Sequence, residues 1–295
     1  VVSSDYYNDL RIGPEIIKRR TDTYRRFRNT LRYLLGARDG HDAADTLAYD
    51  DMPDLEKWVL HRIATLDQRI REMTENYDFH GIFTELHQFC NSDLSAFYFE
   101  IRKDMLYCDL PDSTGRRACR MVMHELFNRL TAWLAPIICF TAEEAWQSYV
   151  GDPQNSVHLR SYDATPEIWH NADIEAKWAT IRQVRQVVMS ALEKVRNDGA
   201  IGASLQAAPL VYVTADMQTA CAGQDAASLF ITSAATITTD TPAVDAFRLD
   251  TVADVAVGFA AATGDKCARC WKVMPEVSGP DGICKRCTDV VTTLA

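Results

Sequence analysis

No stretch of this chain comes near the roughly 18–20 consecutive apolar residues that a membrane-spanning helix requires. The longest candidate, residues 126–140, is broken by Asn128, Arg129 and Pro136. The opening residues, VVSSDYYNDL, hold no basic stretch followed by an apolar core, so no secretory signal is read there. An initiating methionine is also missing, and the chain is read as a piece of something longer. The seven histidines form no H-x-x-x-H zinc pair. Gly199-x-x-Gly202 is too short for a dinucleotide loop and follows no clear strand. Nothing couples the serines, histidines and aspartates into a triad. Disulfide logic is lacking too. The nine cysteines are an odd number, and Cys90, Cys108, Cys119, Cys139 and Cys221 are scattered, mostly among apolar neighbours. They read as buried free thiols of a reducing compartment, the cytoplasm.

Four cysteines stand apart. Cys267, Cys270, Cys284 and Cys287 form C-x2-C, thirteen intervening residues, then C-x2-C. Two such pairs clasp opposite sides of a tetrahedral ion, and zinc favours four thiolates in that arrangement. A closed four-cysteine site is structural rather than catalytic, and such a ribbon folds because metal is bound. One structural Zn2+ is therefore expected. A disulfide pairing among the four is the competing reading.

The 295 residues suffice for two or three domains, and 47% apolar with 24% charged residues is ordinary for a soluble protein. Residues 14–37 read as a helix. Pro14 suits its first turn, and Ile16, Ile17, Tyr24, Phe27, Leu31, Leu34 and Leu35 recur mostly at three- and four-residue steps. Gly36 and Gly40 flank its end. Further helical patterns begin after Asp54, cover about 78–106, and run from Ser113 to about Leu134. A short helix is expected after Thr141, on the cap pattern Thr141-x-x-Glu144. Long amphipathic helices joined by short polar links indicate a bundle. Composition shifts near residue 150. Residues 157–162 read as a short extended piece, 173–197 as another helix ending at Asp198-Gly199, and 210–213 and 252–259 as strands. The expected fold is mainly α: an antiparallel helical bundle over 1–165, a small α+β junction domain over 166–262, and a zinc ribbon over 263–295.

The formal net charge of −10 argues against simple nucleic-acid binding, but the average conceals a local excess. Residues 11–38 contain nine Lys/Arg (Arg11, Lys18, Arg19, Arg20, Arg25, Arg26, Arg28, Arg32, Arg38) against Glu15 and Asp22, a local +7. Such a field attracts phosphates even on an acidic protein. Tyr24, Phe27 and Tyr33 are interleaved with these cations, suited either to packing in the bundle or to stacking on bases. A charge run is more often a solvated helix face, but here nearly all charges share one sign.

The segment Tyr24-Arg25-Arg26-Phe27-Arg28-Asn29-Thr30-Leu31-Arg32-Tyr33-Leu34-Leu35 resembles the opening helix of the anticodon-binding domain of class I isoleucyl-tRNA synthetases. Ser3-Ser4-Asp5-Tyr6 and Asp9-Leu10-Arg11-Ile12 resemble the link that leads into it. Glu193-Lys194-Val195-Arg196 and Ile201-Gly202-Ala203-Ser204-Leu205-Gln206-Ala207 resemble the family's C-terminal junction. Cys267-Ala268-Arg269-Cys270-Trp271 with Cys284-Lys285-Arg286-Cys287 resembles its bacterial zinc appendage. These likenesses fall in the expected order over nearly the whole chain. The family's ATP-binding signatures, His-Ile-Gly-His and Lys-Met-Ser-Lys-Ser, are absent, as is its editing domain.

The resemblance implies recognition of the anticodon stem-loop of tRNA(Ile), in support of ATP-dependent ligation of isoleucine. ATP and isoleucine would be engaged only by a catalytic core outside this chain, which alone would be inactive and monomeric. It implies tRNA contacts at Arg25, Arg28, Asn29, Arg32, Arg269 and Trp271, and no catalytic residue. An arginine fork meets a phosphate or base edge at two points, and Asn both donates to and accepts from a base. Trp271 has a second reading as cover for the ribbon's small core. Asn29 has one as a helix–helix hydrogen bond. The basic residues around the knuckles have one as counter-charges for a site of net charge about −2. Valyl- and leucyl-tRNA synthetases share the bundle type, and the terminal zinc appendage favours the isoleucyl enzyme. Two readings from other classes compete: a protein-binding helical scaffold with a structural zinc, and a DNA repair glycosylase with a four-cysteine finger. The second is disfavoured by the long upstream helices and by a start, Val1-Val2-Ser3, without the proline nucleophile.

Overall fold

The computed structural model describes residues 2–4, 6–9, 12–41, 46–278 and 282–295. Asp5, Leu10 and Arg11 of the leading segment, and with Arg11 one of the nine cations, lie outside the described residues. The helices α1 (Pro14–Ala37), α2 (Asp54–Glu75), α3 (Phe79–Gln88), α4 (Glu100–Cys108), α5 (Thr114–Leu134) and α6 (Cys139–Val150) follow one another. Two compact units emerge: Val1–Phe99 with Pro111–Asn171, and Glu100–Leu110 with Ala172–Ala295. This differs from the three-way division expected at 165 and 262. The segment 100–110, placed with the bundle on sequence grounds, clusters instead with the C-terminal residues.

In the first unit each helix begins where local chemistry permits. Pro14 occupies the first position of α1, where its missing N–H costs nothing. Asp78 caps α3 by accepting from the Gly81 N–H at 2.8 Å, and a Cβ at Gly81 would collide with that carboxylate. Ser113 caps α5 through the Arg116 N–H at 3.4 Å. Only the C-terminal half of α1 is buried, through Phe27, Thr30, Leu31 and Leu34. Leu55, Trp58, Val59, Ile63 and Ile70 of α2 and Met123, Leu126, Phe127, Leu130 and Trp133 of α5 complete the core.

Three local expectations are corrected. The single helix over 78–106 is interrupted by a π-helical run, Phe89–Phe99. The wider turn buries three consecutive aromatics. Phe97 meets Trp58 edge-on at 5.2 Å, the Tyr98 hydroxyl donates to buried Glu56 at 3.1 Å, and Phe99 stacks on Tyr33 at 4.4 Å. Asp93, also buried there, pairs with Arg62 at 3.1 Å. The helix expected after Thr141 begins earlier, at Cys139, with Ile138 at its cap and no side-chain cap bond. The extended piece expected at 157–162 is a 3-10 turn, Val157–Leu159, followed by irregular chain. Side chains pin this segment. Glu143 accepts from the Val157 N–H at 2.8 Å, and Arg129 donates to the carbonyls of Asp163 and Ala164.

The second unit contains α4, α7 (Ala172–Asn197), β1 (Leu210–Tyr212), α8 (Ala215–Cys221), α9 (Ala226–Phe230), β2 (Thr236–Thr238), β3 (Phe247–Leu249), β4 (Val252–Gly258), β5 (Asp265–Lys266), β6 (Val273–Met274) and α10 (Lys285–Leu294). Four strands form a sheet in the order β2-β1-β4-β3, parallel between β1 and β2 and antiparallel elsewhere. Ile181, Val184, Val188 and Leu192 form the buried face of α7. Buried Arg185 ties α7 to its neighbours, donating to the Leu229 carbonyl at 2.9 Å and to Glu100 at 3.0 Å. The short ladder β5–β6 opens the cysteine ribbon. No helix among the described residues is long and apolar enough to cross a membrane.

Candidate nucleic-acid interface and metal centre

The four clustered cysteines meet. The Sγ atoms of Cys267, Cys270, Cys284 and Cys287 all lie within 4.8 Å of one another, and all four residues are buried. Cys270 and Cys284 are 3.8 Å apart. A tetrahedral ion with Zn–S bonds of about 2.3 Å separates its sulfurs by about 3.8 Å, whereas a disulfide joins them at about 2.0 Å. All nine cysteines are free thiols, so the disulfide alternative has no support in the geometry. This four-cysteine cluster can hold a metal ion, and the spacing fits a thiolate-loving one.

Local backbone prepares the cluster for charge. Burial works to raise the Cys267 thiol, but N–H groups of Cys270, Cys284 and Arg269 aimed at its sulfur bring it down to about 6. The Cys284 N–H donates to Cys267 Sγ at 3.3 Å. Burial pushes Cys270 and Cys284 up, so several thiolates side by side require a cation among them. A fifth cysteine, Cys108 of α4, packs against the same cluster. Burial and then Asp104 raise its thiol to about 11, which keeps it protonated. Of the scattered cysteines read as buried, Cys139 is instead exposed.

Two arginines that directly precede a clustered cysteine reach α4. Arg269 donates to the Cys108 carbonyl at 2.6 Å, to the Tyr107 carbonyl at 3.3 Å and to Cys287 Sγ at 3.6 Å. Arg286 pairs with Asp104 at 2.7 Å and Asp109 at 3.0 Å. The C-terminal end of α4, negative by its helix dipole, is thus clasped by two guanidinium groups. Arg269, expected at an RNA surface, is half-buried and engaged by the chain itself. Trp271 is 60% exposed. It sits in a left-handed backbone conformation (φ 68°) with its N–H bonded to the Cys267 carbonyl at 3.0 Å, and Lys266 lies 5.1 Å over its ring. This is a presented aromatic face rather than a core cover.

On α1, the cations divide by partner. Arg38 is structural: it stacks 3.6 Å over Tyr149 and meets His124 Nδ1 at 2.9 Å. Arg26 donates to Asn91, Arg20 to Ser4 at 3.2 Å, and Arg25 to Asp22 at 3.2 Å in an exposed pair. Arg28, Asn29 and Arg32 are exposed, and among the described residues none has a side-chain hydrogen bond or ion pair. Asn29 is therefore no helix–helix bond. Arg28 and Arg32, one turn apart, line a shallow groove of about 130 Å3 between α1 and α6, with Leu35 on their side and Thr141, Glu144 and Ser148 opposite. The Tyr24 hydroxyl meets Thr141 Oγ1 at 2.9 Å at one end of this seam, and Arg38 stacks on Tyr149 at the other.

Sequence reasoning missed Phe140, 93% exposed in the first turn of α6. A signal was available. Ala142, Ala145 and Trp146 form the buried face, and at 100° per residue position 140 falls on the opposite side.

Comparison with known proteins gives one family and many relatives. The model of the anticodon-binding domain of tRNA ligase matches residues 56–212, just over half of the chain. An isoleucine–tRNA ligase of Agrobacterium fabrum is 47% identical over 278 residues, 94% of this chain and 28% of the relative. One from Ruegeria pomeroyi is 46% identical over 291 residues, 97% of this chain and 30% of the relative. One from Gluconobacter oxydans is 42% identical over 298 residues, 99% of this chain and 30% of the relative. The chain thus spans about three-tenths of the length of these curated relatives.

Proposed function

The chain belongs to the family of anticodon-binding domains of tRNA ligases, and from that premise we propose that it is the anticodon-gripping part of an isoleucine–tRNA ligase acting on tRNA(Ile). The observation that carries this reading is the set Arg28, Asn29 and Arg32: exposed, unengaged by the described residues, and aligned beside a groove. Arginines without a carboxylate partner are costly self-repelling charges on a helix unless a phosphate answers them. Arg25 joins them at the edge, since its exposed pair with Asp22 is worth little and is readily exchanged for phosphate.

The ribbon adds a second contact. Cys267, Cys270, Cys284 and Cys287 hold one structural Zn2+, whose chemistry is to bind the four thiolates into a fixed knuckle. Trp271 offers its exposed face to an unstacked loop base. Arg269 acts by holding the knuckle against α4 rather than by meeting RNA, a role drawn from its three intramolecular bonds.

No residue here is assigned to the chemical step. ATP and isoleucine are engaged by other parts of the longer enzyme. This chain supplies remote binding energy that positions the acceptor end, a contribution that appears in the aminoacylation rate as well as in affinity. The functional division 1–165, 166–262 and 263–295 follows the tasks of gripping the stem-loop, spacing and knuckle. The protein is a cytoplasmic monomer in this reading. The test is titration with tRNA(Ile) at fixed salt. Arg28→Ala and Arg32→Ala are each expected to cost about 1–3 kcal/mol, whereas unchanged titrations would remove α1 from the interface.

A further inference from the structure

Residues 201–207 form a turn between α7 and β1 that is closed by its own side chain. Gln206 Oε1 accepts from the N–H groups of Gly202 at 2.6 Å and Ala203 at 3.1 Å. The far side of this turn holds residues 260–262, the run that enters the cysteine ribbon. The Ala262 N–H donates to the Gln206 carbonyl at 2.8 Å, the Ala208 N–H donates to the Ala260 carbonyl at 2.8 Å, and Ala207 and Ala261 form an isolated antiparallel bridge. Gly264 follows at a positive φ of 105°, where a Cβ would overlap the Met274 carbonyl of β6. The entering chain therefore lies directly against the second ribbon strand.

A second hold reaches that strand from the same turn. Ser233 is buried. Its Oγ accepts from the Val273 N–H of β6 at 2.6 Å and donates to the Leu205 carbonyl. Its own N–H donates to the Ala207 carbonyl at 3.2 Å. One hydroxyl thus joins the turn to the ribbon ladder, two residues beyond Trp271. The backbone that delivers Ser233 is strained. Ile231, at the end of α9, is β-branched yet left-handed (φ 56°, ψ 45°), a state that persists only where its surroundings over-determine it. Here the N–H groups of Ile231 and Thr232 donate to the Ser228 and Ala227 carbonyls, and Arg185 holds the Leu229 carbonyl. The α4 clasp acts on the arginines beside the cysteines, whereas Ser233 acts on the strand that follows the exposed tryptophan.

We infer that residues 201–207 are a bracket and Ser233 its latch, and that together they set the direction in which Trp271 is presented to RNA. The inference rests on the proposed reading of Trp271 as an RNA contact, and it names what aims that ring. Ser233 is a positioning residue: it is buried and acts through Trp271. Without the latch the knuckle still closes around its metal, but it takes other directions as well. Affinity then falls by the fraction of molecules in which the ring is correctly aimed.

The test titrates the whole chain with tRNA(Ile) at fixed salt and measures bound zinc beside it. Ser233→Ala is expected to keep its metal, to exchange the Val273 amide faster, and to bind about 2- to 10-fold more weakly, as for an aimed fraction between a half and a tenth. Combining Ser233→Ala with Trp271→Ala should cost no more than Trp271→Ala alone, because the two act as one unit. A merely structural serine would instead give losses that add. Gln206→Ala opens the bracket at an exposed residue and should repeat the pattern, which keeps the test alive if Ser233→Ala does not fold. Additive losses, or loss of the metal in both variants, would overturn the latch. So would Ser233→Ala and Gln206→Ala that bind normally while Trp271→Ala binds weakly, and this result would leave the RNA contact standing. If Trp271→Ala itself binds normally, the reading of the knuckle on which the inference rests fails, and the inference fails with it.

Discussion

Trp271 separates two kinds of residue work. Its neighbours Cys267 and Cys270 are buried in the four-cysteine cluster, while its ring is exposed with Lys266 above it. Trp271→Ala is therefore expected to retain the metal while RNA affinity falls by about 1–3 kcal/mol, the scale of a base–aromatic stack. Elemental analysis beside a binding titration checks this, and loss of the metal would assign the ring to packing. His124 offers a residue-scale test of another sort. Burial, and then the cations Arg38, His41 and Arg160, hold its imidazole down to about 4 from an ordinary 6.5. Between those values the unfolded chain binds a proton that the folded chain refuses, so stability falls as pH drops from about 6.5 toward 4. Replacing His124 by Asn should flatten that slope. A melting midpoint with the same pH dependence in both proteins would contradict the assignment.

At the scale of elements, much was legible and for a definite reason. The helix over 14–37 was bounded correctly because Pro14 and the recurring apolar residues act within the helix itself. The strands near 210 and 252 likewise announced themselves as apolar β-branched runs. What the sequence concealed depends on partners far along the chain. The π-helical run answers to Trp58, Glu56 and Tyr33, and no periodicity within 89–99 encodes them. The Thr141 pattern pointed to a cap, yet that hydroxyl is spent on Tyr24. The same holds at the site. The cysteine quartet was legible because its ligands come in two tight pairs, and the exposed trio on α1 because its charges share one sign. The engagement of Arg269 was not, since its acceptors are backbone carbonyls some 160 residues earlier. The clasp on α4 carries a prediction of its own. Removing the metal by chelation should release Arg269 and Arg286 and raise amide exchange across 104–110. Arg286→Ala should do so partly, at a cost of about 1–3 kcal/mol for charge-assisted bonds. Exchange unchanged by chelation would show that α4 is ordered without the knuckle.

For the molecule as a whole, the tension lies between a net charge of −10 and the proposed polyanionic partner. Local fields resolve it. In the proposed reading, counterion release from phosphates met by Arg25, Arg28 and Arg32 would make affinity fall with salt, and the remaining acidic surface would discourage indiscriminate binding. Each of Arg28→Ala and Arg32→Ala should reduce the slope of log affinity against log salt by about one phosphate contact. The most direct trial of the account is a titration of the whole chain with tRNA(Ile) and with tRNAs of other identities at one salt concentration, before and after chelation. Tighter binding of tRNA(Ile) that weakens when the metal is withdrawn is the predicted result. Equal, weak binding of every tRNA, indifferent to the metal, would contradict it.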